Sequence, residues 1–294
     1  MKFPSPLVSE QIENGAVNVP VATVPSLSSF RPHTGVGGVR YLVTIEQDVL
    51  LETLLVNKKS DTIIAVFHGM MVPGHHHLPR FEWLRTLQNT EYSAIYFSDP
   101  TLSIDPQLKL GWYLGSESLD LFPVLASVLA QAAEATGASH LILAGSSGGA
   151  FASLQVSSYV PGSMAVAFNP QTDIAKYHWP AQASYLKRIV PQLIPDKGSR
   201  KRWSQALGPR TSVLKQYAQP RANRALLLQN RNDPHHVKNH FAPFREAITN
   251  SPNRDNFIFE LYDGPQGHEP PSRGHFRDAV VRAHDLLASP AVIL

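Results

Sequence analysis

Residues 140–152 (HLILAGSSGGAFA) constrain this chain more than any other stretch. A short apolar run, a Gly-Ser-Ser-Gly-Gly corner and a small-residue segment of helical character follow one another without a break. Gly145-x-Ser147-x-Gly149 fits the G-x-S-x-G pattern of a sharp strand-to-helix turn that lifts a serine hydroxyl above a sheet. Residues two before and two after that serine crowd each other, so only very small side chains fit. The serine also opens a helix, where free backbone N–H groups can stabilise a developing oxyanion. Ala144-x-Ser146-x-Gly148 is a tolerable variant of the pattern and keeps Ser146 as a second candidate. Ser147 is preferred because glycine stands at both of its flanks.

The elements around this turn alternate. Segments 39–46 (VRYLVTIE) and 49–56 (VLLETLLV) read as strands joined by a short polar turn at Gln47-Asp48. Segment 61–68 (DTIIAVFH) is a continuous apolar run, as expected of a strand buried on both faces. A helix is expected over 79–88, a strand over 92–97 and a long helix over 116–136 that Gly137 stops. Strand 141–143 feeds the corner, helix 149–158 leaves it, and 164–168 (MAVAF) is another buried strand. Strand 224–229, helix 237–249, strand 257–262 and a closing helix 273–288 complete the chain. This order predicts an α/β fold with a mostly parallel central sheet flanked by helices. Residues 1–38, rich in Pro, Ser, Val and Gly, are expected to be an extended lead-in to a single domain spanning 39–294. Within that domain, 172–223 has poor periodicity and the length of a cap or lid insertion.

Composition excludes several chemistries. With 0 cysteines there is no disulfide, thiolate zinc site or cysteine nucleophile, which fits a cytoplasmic protein. The first residues (MKFPSP) lack the apolar core of a signal peptide, and the most apolar stretch, 119–133, is too short to span a bilayer and carries Pro123. The net charge of +3 is mild, and its densest part is 197–210, with Lys197, Arg200, Lys201, Arg202 and Arg210. No nucleic-acid motif accompanies that cluster, so it reads as a solvated surface rather than a nucleic-acid site. His75-His76-His77 invites a metal reading, but consecutive side chains point apart and no carboxylate stands at a ligand spacing. No metal is assigned there.

A serine hydroxyl needs a base, and the base needs an orienting partner. Both residue types follow strands: Asp233 after strand 224–229, and Gly267-His268 after strand 257–262. Ser147, Asp233 and His268 each sit past a different strand, at the carboxyl edge where open α/β sheets place their sites. Asp173 is the alternative acid and His275 the competing histidine. Strand 61–68 ends in His68-Gly69-Met70-Met71, which offers the Met70 N–H, with Met71 next, as an oxyanion donor.

With these residues in the order Ser…Asp…His, the chain resembles the α/β-hydrolase superfamily over residues 39–290. The resemblance implies that Ser147 is the nucleophile, His268 the base and then the acid, and Asp233 the group that fixes the imidazole tautomer. It implies an oxyanion hole made by Gly148 and Met70, and it needs no metal or organic cofactor. Gly69 and the aromatic pair Trp112 and Tyr113 are expected to contact substrate. The segments HGM, DPTL, WYLG, GSSGG and NPQTDI are also similar to bacterial hydrolase-fold proteins of capsular polysaccharide biosynthesis, some of which transfer O-acetyl groups. The implied activity is ester hydrolysis on a small-molecule ester or acylated glycan. The alternatives are acyl transfer to a glycan and a non-catalytic binding protein of the same fold. The sequence is silent on oligomeric state.

Overall fold

The computed structural model describes residues 19–46, 49–105, 107–193 and 202–288. Its strands are β1 Val21–Val24, β2 Gly37–Glu46, β3 Val49–Asn57, β4 Thr62–Phe67, β5 Ser93–Phe97, β6 His140–Ser146, β7 Met164–Phe168, β8 Arg224–Asn230 and β9 Phe257–Tyr262. Its longer helices are α1 Leu121–Thr136, α2 Gly148–Ser157, α3 Trp179–Ile189, α4 Ala242–Thr249 and α5 Arg273–Ala288. The strands form a 9-stranded sheet in the order β1-β2-β3-β5-β4-β6-β7-β8-β9. Only the β2–β3 and β3–β5 pairings are antiparallel.

Register sets where the loops emerge. Phe67 pairs with Phe97 and with Gly145, Ser146 with Phe168, Phe168 with Leu228, and Asn230 with Tyr262. The carboxyl ends of these strands therefore lie nearly level, and the segments after β4, β6, β7, β8 and β9 open on one edge of the sheet. Side chains alternate across it. Ile63, Ala65, Leu143, Ala165 and Leu227 face a core shared with α1 and α2. Ile64, Val66, Ile142, Val166 and Leu226 face Phe276, Val280 and Ala283 of α5. Both faces are covered, which is why the central strands read as unbroken apolar runs.

Several expected boundaries move. Residues 1–18 and the Gln47-Asp48 turn lie outside the described residues, but β1 lies inside the expected lead-in. It adds as a parallel edge strand beside Arg40–Val43 of β2. Of the helix expected over 79–88, only Leu84–Leu87 is helical. Trp83 is left-handed at φ 67°, its ring stacked at 4.0 Å on Phe276. Tertiary contacts override propensity there. Helix α1 starts at Leu121 rather than 116, because the Asp120 carboxylate caps it by accepting from Phe122 N. Pro123 then falls in the first turn, where no N–H is needed.

The segment after β7 closes on itself at the base. Val213 N donates to Thr172 O, and Asp173 bridges Ser212. Tyr185 and Trp203 from this excursion are buried. Arg210, expected on a solvated surface, is 8% exposed. Its guanidinium donates to the carbonyls of Leu114, Glu117 and Leu119. A cation with that many carbonyl partners is a clamp, not a surface charge. Lys197, Arg200 and Lys201 lie outside the described residues. Among the described residues, no helix is long and apolar enough to cross a membrane.

Candidate active site

Strand β6 ends at Ser146 and α2 starts at Gly148, so the chain must reverse direction at one residue. That residue is Ser147, with φ 57° and ψ −118°, a region a non-glycine residue occupies only under strain. The crowding expected at the flanks is present. A Cβ on Gly145 would lie 2.4 Å from the carbonyl carbon of Gly149, and one on Gly149 would lie 2.2 Å from Phe67 O. These are backbone atoms, of helix α2 and of strand β4, and cannot swing aside. Gly145→Ala and Gly149→Ala are each expected to cost about 3 kcal/mol or more, the upper range for overpacking. A urea midpoint within error of wild type for either variant would contradict this steric account. Ser146 is the last residue of β6 and 4% exposed.

Ser147 Oγ lies 2.7 Å from His268 Nε2, and His268 Nδ1 lies 2.8 Å from Asp233 Oδ2. Three asparagines hold the loop that presents His268. Asn169 Nδ2 donates to Glu269 O, Asn230 Nδ2 to Pro265 O, and Asn232 Nδ2 to Gly264 O. Asp233 caps the turn Pro234–His236 by accepting from His236 N at 3.1 Å. Burial opposes its ionisation, but the hydrogen bond from His268, the His236 amide and the neighbouring imidazoles hold its pKa far below the usual carboxylate range. It is an anion at neutral pH.

The other candidates lie elsewhere. Asp173 accepts from Ala175 N and caps the turn Ile174–Lys176. His275 stands at the start of α5 with its ring edge-on to Tyr262. Within the 75–77 run, His76 Nδ1 accepts from Val72 N in a local turn. Trp112 and Tyr113, expected to contact substrate, are instead 0% and 1% exposed. They meet the site through hydrogen bonds, and Trp112 also packs edge-on against Tyr177. Tyr113 Oη accepts from His68 N and donates to Phe97 O, and Trp112 Nε1 donates to Gln171 Oε1 at 3.3 Å.

The loop after β4 runs beside the serine: a Cβ on Gly69 would lie 3.8 Å from Ser147 Cβ. A part-buried ion pair braces it. Glu82 accepts from Gly69 N at 2.7 Å and from Arg80, and Arg80 donates to Met70 O. Met71 N donates to Lys109 O. The amides on either side of Met70 are thus committed within the fold. His68 is locked beneath it, Nδ1 donating to Gly69 O while Nε2 accepts from Asp99 N. Burial and then the Arg80 charge push the His68 pKa to about 3, so it stays neutral. Asp99 moves the other way, to about 6, because burial outweighs the amides that point at it.

Residues that sequence reasoning missed complete the site. Gln171 Nε2 lies 2.7 Å from Ser147 Oγ and 3.2 Å from His236 Nε2. The His236 ring stacks on His268 at 3.8 Å and 7°. The available signals were Gln171's position just past β7 and the three-residue step from Asp233 to His236, one helical turn. A cleft of about 480 Å³ opens beside this cluster, lined by Met70, Leu108 and Leu110 on one side and Tyr177, Pro180 and Ala181 on the other. Among the described residues, two groups of three ligand-type side chains lie close enough to share an ion. One is Asp233, His236 and His268; the other is Asp61, His140 and His284 at the opposite end of the sheet.

The sheet order, the strained serine turn and the loops gathered at one edge define an α/β-hydrolase fold. Solved structures with this fold align over most of the chain. The capsule O-acetyltransferase of Neisseria meningitidis serogroup A superposes with a TM-score of 0.56 at 14% identity, covering 82% of this chain and 93% of that one. Prolyl oligopeptidase B from Galerina marginata gives 0.56 at 12% identity over 87% of this chain and 37% of its own. Porphyromonas gingivalis dipeptidyl peptidase 4 gives 0.56 at 12% identity over 85% and 35%. No protein-family model matches the sequence, and no curated protein does.

Proposed function

We propose that this chain is a serine enzyme that hydrolyses a carboxylic ester through an acyl-Ser147 intermediate. The observation that carries the reading is the continuous line from Ser147 Oγ to His268 Nε2 and from His268 Nδ1 to Asp233 Oδ2. In the proposed first step His268 takes the serine proton as Oγ attacks the ester carbonyl. The Asp233 anion keeps the Nδ1–H tautomer and stabilises the imidazolium. The N–H groups of Gly148 and Met70 receive the tetrahedral oxyanion. His268 then protonates the departing alcohol, and a water activated by the same imidazole releases the acid. Tyr177, Pro180 and Ala181 supply one wall of the cleft, which supports reading the 172–223 insertion as the cover over a small-molecule ester or acylated glycan. Cytoplasmic placement belongs to the same proposal and rests on the absence of cysteine.

Acyl transfer to a glycan hydroxyl uses the same residues. One observation favours keeping it. The capsule O-acetyltransferase aligns over nearly its whole length, whereas the two peptidases align over about a third of theirs. A fluorophosphonate probe tests the common step. Wild type and Ser146→Ala should label and Ser147→Ala should not, with steady turnover of short p-nitrophenyl esters. A burst without turnover, relieved by a glycan acceptor, favours the transferase. Folded wild type that does not label leaves a non-catalytic binding protein.

A further inference from the structure

Gln171 and His236 connect the serine to the acid by a second route. Trp112 Nε1–H can only donate, so the Gln171 atom it meets at 3.3 Å is the oxygen. That fixes the amide: Nε2 faces Ser147 Oγ and His236 Nε2, and it has one hydrogen for each. His236 Nε2 must then accept, which leaves its proton on Nδ1. Nδ1 lies 2.8 Å from Asp233 Oδ2, in electrostatic contact but without hydrogen-bond alignment. The contacts close a ring through Ser147, His268, Asp233, His236 and Gln171.

We propose that Gln171 is a catalytic residue, donating to the reacting Ser147 oxygen, and that His236 is a positioning residue that holds Gln171 and stacks on the base. This rests on the acyl-serine reading above. In the resting site the Ser147 proton points to His268 and one lone pair is committed to Gln171, so a single hydroxyl rotamer is populated. As Oγ attacks, and again as it leaves the acyl group, it carries negative charge that the Gln171 N–H stabilises. No atom is transferred to Gln171. The proton moves only between Ser147, His268 and the alcohol or water.

His236 suits this role because it stays neutral. Burial, and then the charge of His268, push its pKa to about 3. Two imidazolium rings stacked at 3.8 Å would repel, so a neutral His236 lets His268 alone take the proton. The groups facing the pair are Asp233, His235, His240 and Tyr177, with His178 stacked on His235 beyond them.

The test compares phosphonylation rate constants of the intact protein by a fluorophosphonate, across pH, for wild type, Gln171→Leu, Gln171→Glu and His236→Phe. Gln171→Leu should react about 10- to 100-fold more slowly at unchanged labelled fraction, the range for losing a hydrogen bond to a charged atom. His236→Phe keeps the stack but frees Gln171, and should slow the reaction about 10-fold. Gln171→Glu should move the acidic limb of the rate profile to higher pH, since a nearby carboxylate favours the protonated base. A merely structural role would lower the labelled fraction or the melting temperature and leave the rate constant and the limb in place. That result overturns the proposal. Nitrogen-15 histidine spectra read the ring without any chemistry, and a His236 protonated on Nε2 also overturns it. Wild type that is inert to the probe while His236 is Nδ1-protonated removes the acyl-serine reading and the catalytic role together, and leaves only the ring of contacts.

Discussion

Asp233→Asn is expected to lower acyl transfer from a p-nitrophenyl ester about 10³- to 10⁴-fold, with the fold retained and KM little changed. The magnitude is that seen when the orienting aspartate of a serine triad becomes an amide. Asparagine keeps an oxygen for His236 N, which the capped turn needs. Its NH2 group, however, would confront the Nδ1 atoms of both His268 and His236, which lie 2.8 Å from the present Oδ2. His268 would have to turn its proton to Nε2, where it can no longer accept from Ser147. Asp173→Asn is the matched control. That carboxylate caps a short turn, and asparagine caps as well as aspartate, so activity should stay within about threefold. Loss of activity in Asp173→Asn with little change in Asp233→Asn would move the acid role to Asp173.

Lowering the pH should unfold this protein steeply. His68, His236 and His240 are 2%, 0% and 0% exposed, and burial is the leading cause that lowers their pKa values from 6.5 to about 3, 3 and 2. Below pH 6.5 the unfolded chain takes up protons that the folded chain refuses. These groups therefore contribute stability that is full above 6.5 and lost as pH falls. Asp99 acts oppositely, because its pKa is raised from 3.8 to about 6. Its contribution is full below 3.8 and lost as pH rises through 6, so in the same window it offsets one of the three histidines. For these four groups the balance is about two protons taken up on unfolding, which removes about 5 kcal/mol between pH 6 and pH 4. That is a large share of the stability of an ordinary domain. His76, lowered to about 4 chiefly by burial, acts in the same direction. Urea unfolding at fixed pH steps measures it directly. His240→Asn, which keeps an acceptor for Thr172 N, should roughly halve the slope. An unchanged slope would mean that His240 is not held neutral in the fold.

How far the sequence carried the argument varied by element. The apolar runs of β4, β6, β7 and β8 were legible because strands covered on both faces leave no other pattern. Strand β7, strand β9 and helix α5 begin and end where periodicity places them. Segment 79–88 was not legible. Its helical pattern is local, while Arg80 and Glu82 turn back to the loop at Gly69 and Met70, and Trp83 packs on α5. The burial of the aromatic pair Trp112 and Tyr113 was not legible for a related reason. Aromatic side chains serve as buried struts as readily as they serve as binding surfaces, and only burial tells the two apart.

The sequence by itself determined the strand order of chemistry: a serine, an aspartate and a histidine, each just past a different apolar run, with glycines where the turn allows no side chain. Those features are local, and backbone sterics and strand burial write them into short stretches of chain. Tertiary structure alone decided which atoms meet. Ser147 rather than Ser146 reaches His268, Asp233 rather than Asp173 reaches the imidazole, and Gln171 and His236 close around both. Gln171 and His236 are 24 residues and 89 residues from the serine, and no periodicity links them to it. Their convergence depends on strand register, which levels the carboxyl ends of β6, β7 and β8 to within a residue or two and so brings three separate loops to one point.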